Sequence, residues 1–188
     1  MKKIMIAALI CAMTSLAGCD KLKDATSRDI KANKVTFKFE APTSSNAAAT
    51  LTAVVTRAGT DNTFTITRTV LLSEIGSSDL EEYRNKISKV AANNSLLSIT
   101  TTPSGSYSVA DVTVKTVGVD GELLVPSYTL GGAFTPPANM NTYTGQFVTR
   151  LVNTGSVTIT ISGKTDAPAG TTINISYETN LVFTASLL

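Results

Sequence analysis

Most of the chain alternates apolar and polar residues with a period of two, which is the pattern of a half-buried β-strand. The alternation is longest near the C-terminus, where one phase is kept from residue 173 to residue 185. At about 3.3 Å per residue, such a strand would be roughly 40 Å long, which is more than a typical strand spans. We therefore expect it to bend or twist, either in a barrel wall or in crossing between two sheets.

Further strands are predicted where alternating segments end at Gly, Pro, Asn, Asp or Ser. These segments are residues 34–39, 50–57, 63–71, 96–101, 107–119, 122–130, 146–152 and 157–161. Turn residues at 59–62 predict one hairpin, and Asp120-Gly121 between two apolar runs predicts another. Pro126 lacks a backbone N–H, so its strand should lie at a sheet edge or a bulge.

One helix is predicted to begin at Ser78. Ser78 and Glu81 have the spacing of a capping box, in which each side chain can bond the backbone N–H of the other residue. Apolar residues follow at helical spacing, at Leu80, Tyr83, Ile87 and Val90. Asn93-Asn94 could end the helix in a left-handed cap. Such a helix would cover an open end or face of a sheet.

One long loop is predicted at residues 131–144. Loops of this length in compact domains are usually functional or disordered. The loop carries large apolar side chains, Phe134, Met140 and Tyr143. Two interpretations stay open, namely that these side chains cover the core or that they contact a ligand or partner.

Together these elements predict one mainly β domain at residues 34–188. The favoured architecture is an antiparallel β-sandwich with one α-helix, and the alternative is an open or flattened β-barrel.

The first twenty residues have a different pattern. Lys2 and Lys3 precede an apolar run at residues 4–13, which is too short to cross a bilayer, and small residues follow it. After the run comes Leu16-Ala17-Gly18-Cys19. This segment resembles the signal peptide and lipobox of bacterial lipoproteins.

The resemblance implies a lipid-anchored protein of the bacterial cell envelope. Residues 1–18 would be removed, and Cys19 would carry lipid on its sulfur and on its new amine. An outer-membrane or cell-surface location is favoured. Asp20 also resembles a signal for retention at the periplasmic face of the inner membrane. Residues 19–33 are predicted as the lipidated cysteine and a flexible tether, and the fourteen residues after Cys19 would reach about 46 Å if fully extended.

Charge argues against nucleic acid as a partner. The chain has 16 basic and 14 acidic residues, and loss of Lys2 and Lys3 with the signal would leave 14 of each. A chain of zero formal charge has no basic surplus for binding phosphates.

Composition argues against an enzyme. The chain has no histidine, and neither cysteine would remain as a free thiol in the mature domain, because Cys11 lies in the signal and Cys19 carries lipid. Tryptophan is absent too, which weakens the case for a surface on which sugar rings stack. Most acidic residues fall in predicted turns or the helix start, which leaves Asp111 and Glu178 as the least explained. We therefore expect no catalytic residues, no cofactor and no metal site.

The favoured function is a non-catalytic binding module for an apolar ligand or a glycan, held on the membrane through Cys19. The alternative is a structural or adhesive surface subunit that pairs β-strands with another envelope protein.

Overall fold

The computed structural model describes residues 26–39, 56–58 and 61–187. The predicted signal segment, the lipobox with Cys19 and the first part of the predicted strand at 50–57 lie outside these residues.

Within the described ranges the chain forms nine strands and two α-helices, joined in places by short 3₁₀ turns. In chain order they are β1 (Ser27–Phe39), β2 (Thr56–Ala58), β3 (Asp61–Leu71), α1 (Ser78–Tyr83), β4 (Ile87–Thr102), β5 (Ser108–Thr116), β6 (Leu123–Val125), β7 (Tyr128–Thr129), α2 (Met140–Thr154), β8 (Ser156–Thr165) and β9 (Thr172–Ser186).

The strands form two antiparallel sheets that share one hydrophobic core. The smaller sheet has the order β1-β9-β4, and the larger has the order β2-β3-β8-β5-β6, with β7 also paired to β5. The predicted β-sandwich is therefore confirmed over the predicted barrel. Both predicted hairpins are also present, between β2 and β3 and between β5 and β6. A second helix, α2, was not predicted.

The long C-terminal strand forms as predicted but stays in one sheet. β9 pairs with β1 on one side and with β4 on the other along most of its length. Its odd-numbered residues from Ile173 to Ala185 are buried, and the even-numbered residues face outward. The prediction that it would cross between sheets or close a barrel wall was wrong, because two neighbouring strands hold its full length in the smaller sheet.

The first strand begins earlier than the sequence pattern indicated. Residues 27–33 were predicted as part of the tether, but they belong to β1; residues 27–32 pair with β9, and Ile30 and Ala32 are buried. A β-bulge between Ala32 and Val35 shifts the phase of alternation, with Lys34 at φ 54°. The shift separates Ala32 from Val35 by three residues, so the two halves of the strand do not share one period.

The helix predicted from Ser78 is much shorter than expected. α1 ends at Tyr83, and Ser77 rather than Ser78 caps it by accepting a 3.3 Å hydrogen bond from the Leu80 N–H. Ile87 and Val90 belong to β4, where a bulge between Ile87 and Lys89 spaces them by three residues. The predicted helical repeat therefore combined two residues of the short helix, Leu80 and Tyr83, with two residues of a bulged strand.

The same strand contains the segment predicted separately at residues 96–101. A second bulge, between Asn93 and Leu96, interrupts the alternation of β4, and Asn94 adopts φ 53° there. The Asn pair thus bends a strand instead of ending a helix.

Residues 140–154 form α2, although the sequence pattern predicted a loop to residue 144 and a strand at 146–152. The buried residues of α2 recur at helical spacing, at Met140, Tyr143, Thr144, Phe147, Val148, Leu151 and Val152. Gly155 ends the helix at φ 82°. Arg84 donates hydrogen bonds to the carbonyl oxygens of Val152 and Asn153 at 2.6 and 3.2 Å, which places a cation at the negative end of the helix.

The β1 bulge allows a prediction of opposite effects from the same substitution. Lys34→Gly should stabilise the protein by about 0.5–1 kcal/mol, because glycine adopts positive φ without the steric cost that lysine bears. Lys31→Gly, at an exposed position of the same strand without positive φ, should destabilise it by about 0.5–1 kcal/mol. Urea denaturation of both variants measures the two effects, and equal destabilisation by both would contradict the bulge.

Candidate functional site

Helix α2 lies along the outer edge of β4. The Ser95 N–H of β4 donates a 3.0 Å hydrogen bond to Asn141 Oδ1 at the start of the helix. Further along, a Cβ added to Gly145 would lie 3.7 Å from the Val90 carbonyl oxygen, so helix and strand are in close contact there. The helix therefore covers this part of the strand edge and leaves a surface depression beside it.

We call this depression the α2–β4 groove. Its larger cavity has a volume of about 560 Å³ and lies between residues 90–92 of β4, residues 118–120 of the turn after β5, and the outward side of α2. Its polar side chains are Asp120, Asn141, Thr142, Gln146 and Thr149. Its apolar surface comes from small groups, Val90, Ala91, Ala92 and Val119.

A smaller cavity continues the groove toward the C-terminal end of α2. It measures about 350 Å³ and is lined by residues 87–90 of β4 and by Thr149, Val152 and Asn153 of α2. Val90 and Thr149 line both cavities, so the two are adjacent.

The charges at the larger cavity are few. Asp120 is the single carboxylate among its lining residues. The Arg150 side chain passes over Gly118, where Nε would lie 2.9 Å from an added Cβ, and Gly118 has φ 78°. A side chain at position 118 would therefore displace this guanidinium. The groove is thus built mainly from amides, hydroxyls and small apolar groups.

The residues predicted as a ligand or partner loop do not line this groove. Met140 and Tyr143 are only 1% and 4% exposed, and both belong to α2. Phe134 does lie on the loop before α2, but its ring packs on Tyr128 with a centroid distance of 5.1 Å. The loop assignment is therefore wrong for Met140 and Tyr143, which face the core because helical geometry turns them inward.

The tyrosines of the core act structurally. The Tyr143 hydroxyl lies 2.9 Å from the Val114 carbonyl oxygen and 3.1 Å from Thr116 Oγ1. Burial raises the pKa of Tyr143, and hydrogen bonding to Thr116 partly opposes this. Burial likewise raises the pKa of Tyr177, which bonds Thr144 of α2. Both phenols stay protonated at neutral pH and connect α2 to the two sheets.

The two carboxylates that lacked a structural explanation in the sequence lie in different sheets. Asp111 occupies a bulge of β5 at φ 51°, and its carboxylate lies 3.1 Å from Lys164 Nζ. Glu178 is exposed on β9. Short polar residues such as Asp tolerate the left-handed conformation, so the bulge accounts for Asp111.

The described residues contain no group of three or more side chains that could together hold a metal ion. Neither helix among these residues is long and apolar enough to span a bilayer.

The groove residues Asn141, Gln146 and Thr149 were missed because their segment was assigned to a loop and a strand. Their signal in the sequence is their position between the apolar residues of a helical repeat, which places them together on the opposite side of the helix.

Comparisons with known proteins leave the family open. No family model matches the chain, and no curated protein matches it. One solved structure, described as TmCBM61 in complex with beta-1,4-galactotriose, aligns at 15% identity over 85% of this chain and 88% of that chain, with a TM-score of 0.25. A likeness this slight carries no argument about fold or ligand.

Proposed function

We propose that this protein is a non-catalytic saccharide-binding module of the bacterial cell envelope, anchored to a membrane through lipid on Cys19. The observation that carries the proposal is the α2–β4 groove. It joins amide and hydroxyl side chains to a floor of small apolar groups on one open surface.

This combination suits a sugar better than an apolar ligand. Side-chain amides such as those of Asn141 and Gln146 both donate and accept hydrogen bonds, as sugar hydroxyls also do. Small apolar groups in the lining, such as Val90 and Val119, can contact the C–H groups of a sugar ring. Sites for apolar ligands are instead mostly enclosed and lined by large hydrophobic and aromatic groups. None of the described residues that line the groove is aromatic, so its lining does not match a site for an apolar ligand.

The start of β1 brings the domain closer to the proposed anchor than the sequence suggested. Only seven residues, 20–26, separate Cys19 from Ser27 at the start of β1. Fully extended, they span about 25 Å rather than the 46 Å expected for a tether to residue 33. A lipid on Cys19 would therefore hold the sandwich beside the membrane surface.

The smaller cavity of the groove lies near the end of the sandwich at which β1 begins. Ala185 of β9 pairs with Arg28 on one side and with Ile87 on the other. Neighbouring strands are about 4.8 Å apart, so Ile87, which lines the groove, lies roughly 10 Å from the start of β1. Saccharides displayed on that membrane would thus be within reach. The outer membrane or cell surface remains the favoured location, with the periplasmic face of the inner membrane possible because of Asp20.

The alternative is a structural subunit that pairs a strand with another chain. It needs an accessible sheet edge, and since α2 covers the β4 edge near Val90 and Ser95, it would use the other edge of the smaller sheet, β1. A non-catalytic role also fits the absence of histidine from the sequence and the location of Asp111 and Glu178 in different sheets.

A glycan array probed with the mature chain tests the proposal. We expect binding to a restricted set of saccharides. Gln146→Ala should weaken that binding about tenfold, because it removes one or two hydrogen bonds of about 1 kcal/mol each. Thr100→Ala, at an exposed position of β4 outside the groove, is the control and should bind like the wild type. A blank array, or undiminished binding by Gln146→Ala, would count against the groove.

A further inference from the structure

The two cavities of the α2–β4 groove form one elongated surface. The larger extends from the turn after β5 to Thr149, and the smaller continues from Thr149 to Asn153. Val90 and Thr149 line both, so the two cavities lie side by side along α2.

The length of the groove can be read from α2. Asn141 lines the larger cavity and Asn153 lines the smaller, twelve residues apart on the same helix. At 1.5 Å per residue, these positions are separated by about 18 Å. A single sugar ring is much shorter than this, and one ring would fill only part of the combined volume.

Both parts of the groove offer polar groups. Asn141 and Gln146 lie on the larger cavity, whereas Ser88, Lys89 and Asn153 lie on the smaller. Hydrogen-bonding groups therefore recur along the groove instead of converging on one point, as they would around a single small ligand.

From this geometry we infer that the groove binds an extended oligosaccharide chain, with successive sugar units in the larger and smaller cavities, and not a single sugar. The inference rests on the proposed saccharide-binding function and specifies its ligand class. Thr149 lies where the chain passes from one cavity to the other.

Chain-length series test this inference. Malto-, cello-, chito- and xylo-oligosaccharides of one to six units are titrated into the mature chain by calorimetry. For the series that binds, we expect affinity to rise more than tenfold from the single sugar to the chain that fills both cavities, and then to level off. Equal affinity for the single sugar and the longest chain would overturn the inference while leaving the proposed function intact. Failure of all four series to bind, with no other saccharide bound on the glycan array, would overturn both.

A substitution at Thr149, where the two cavities meet, tests whether one ligand chain occupies both. Thr149 is exposed on α2, so Thr149→Phe should fold normally and narrow the passage. Because Thr149 lines both cavities, the substitution should lower the affinity for the longer chains more than the affinity for the single sugar, and so remove the length dependence. Thr100→Phe, on the exposed face of β4, is the matched control and should keep the length dependence. A thermal melt of each variant checks folding, and an intact length dependence in folded Thr149→Phe would contradict the inference.

Discussion

Replacing Cys19 by serine should release the protein from the membrane. The proposed attachment is a lipid on the Cys19 sulfur together with acylation of its amine, and each buried CH₂ group contributes about 0.8 kcal/mol to membrane binding. One acyl chain binds reversibly and two bind stably, so loss of the modification removes nearly all of the membrane affinity. We expect the wild type to partition into the detergent phase and Cys19→Ser to stay in the aqueous phase or to accumulate uncleaved.

Cys11 provides the matched control for this experiment. It lies within the apolar run of the same predicted signal, so Cys11→Ser should leave processing and partitioning unchanged. Intact mass of the wild type should show loss of residues 1–18 and the addition of acyl groups at residue 19. Detergent partitioning of a processed Cys19→Ser chain would show that the anchor lies elsewhere.

Replacing Phe147 by alanine should cause the largest loss of stability among the predicted substitutions, about 3–5 kcal/mol. Phe147 is only 2% exposed on α2. Its ring lies edge-on to those of Phe37 and Tyr177, with centroid distances of 5.7 Å to each. These contacts join α2 to β1 and β9, so the substitution leaves a cavity at the point where the helix packs on the smaller sheet.

An exposed apolar residue is the control for Phe147. Leu124 on β6 is 60% exposed, so Leu124→Ala should change the free energy of unfolding by no more than about 0.5 kcal/mol. Urea denaturation measures both variants. A cost below about 1 kcal/mol for Phe147→Ala would mean that α2 is not packed in the core as described.

The sequence pattern predicted strands well wherever the alternation was uninterrupted. β8 and β9 keep one phase along their buried positions, and both were found near their predicted places. The turn at Asp120-Gly121 was also found, because glycine at position 121 adopts φ 77° as the turn requires. In these segments the alternation and the turn residues were sufficient to predict the strands and their connection, and the prediction of a β-sandwich rested on them.

β-Bulges explain the errors at the start of β1 and along β4. Lys34 and Asn94 each adopt positive φ within a bulge of these strands. A bulge inserts one residue and reverses the phase of the pattern beyond it. A further bulge in β4, between Ile87 and Lys89, spaces Ile87 and Val90 by three residues, and this resemblance to a helical repeat is why the start of β4 was assigned to a helix. Whether a residue is bulged depends on pairing with a distant strand, and sequence periodicity does not record that pairing.

The candidate site was missed for a related reason. Its residues lie on α2, whose sequence is rich in Thr, Asn and Gly and therefore has low intrinsic helix propensity. Burial of one face of the helix, from Met140 to Val152, and capping by Arg84 outweigh that propensity. Met140 and Tyr143, two of the large side chains that suggested a ligand loop, in fact hold the helix to the core, and polar side chains on its other side line the groove.

Chemical-shift mapping tests the central claim, that the α2–β4 groove binds a saccharide, most directly. The isotope-labelled mature chain is titrated with the oligosaccharide that gives the strongest array signal. We expect the largest amide shifts at residues 88–92, 118–120 and 141–153, with little change on the outer face of the larger sheet. Shifts confined to that outer face, or no shifts at saturating saccharide, would contradict the account.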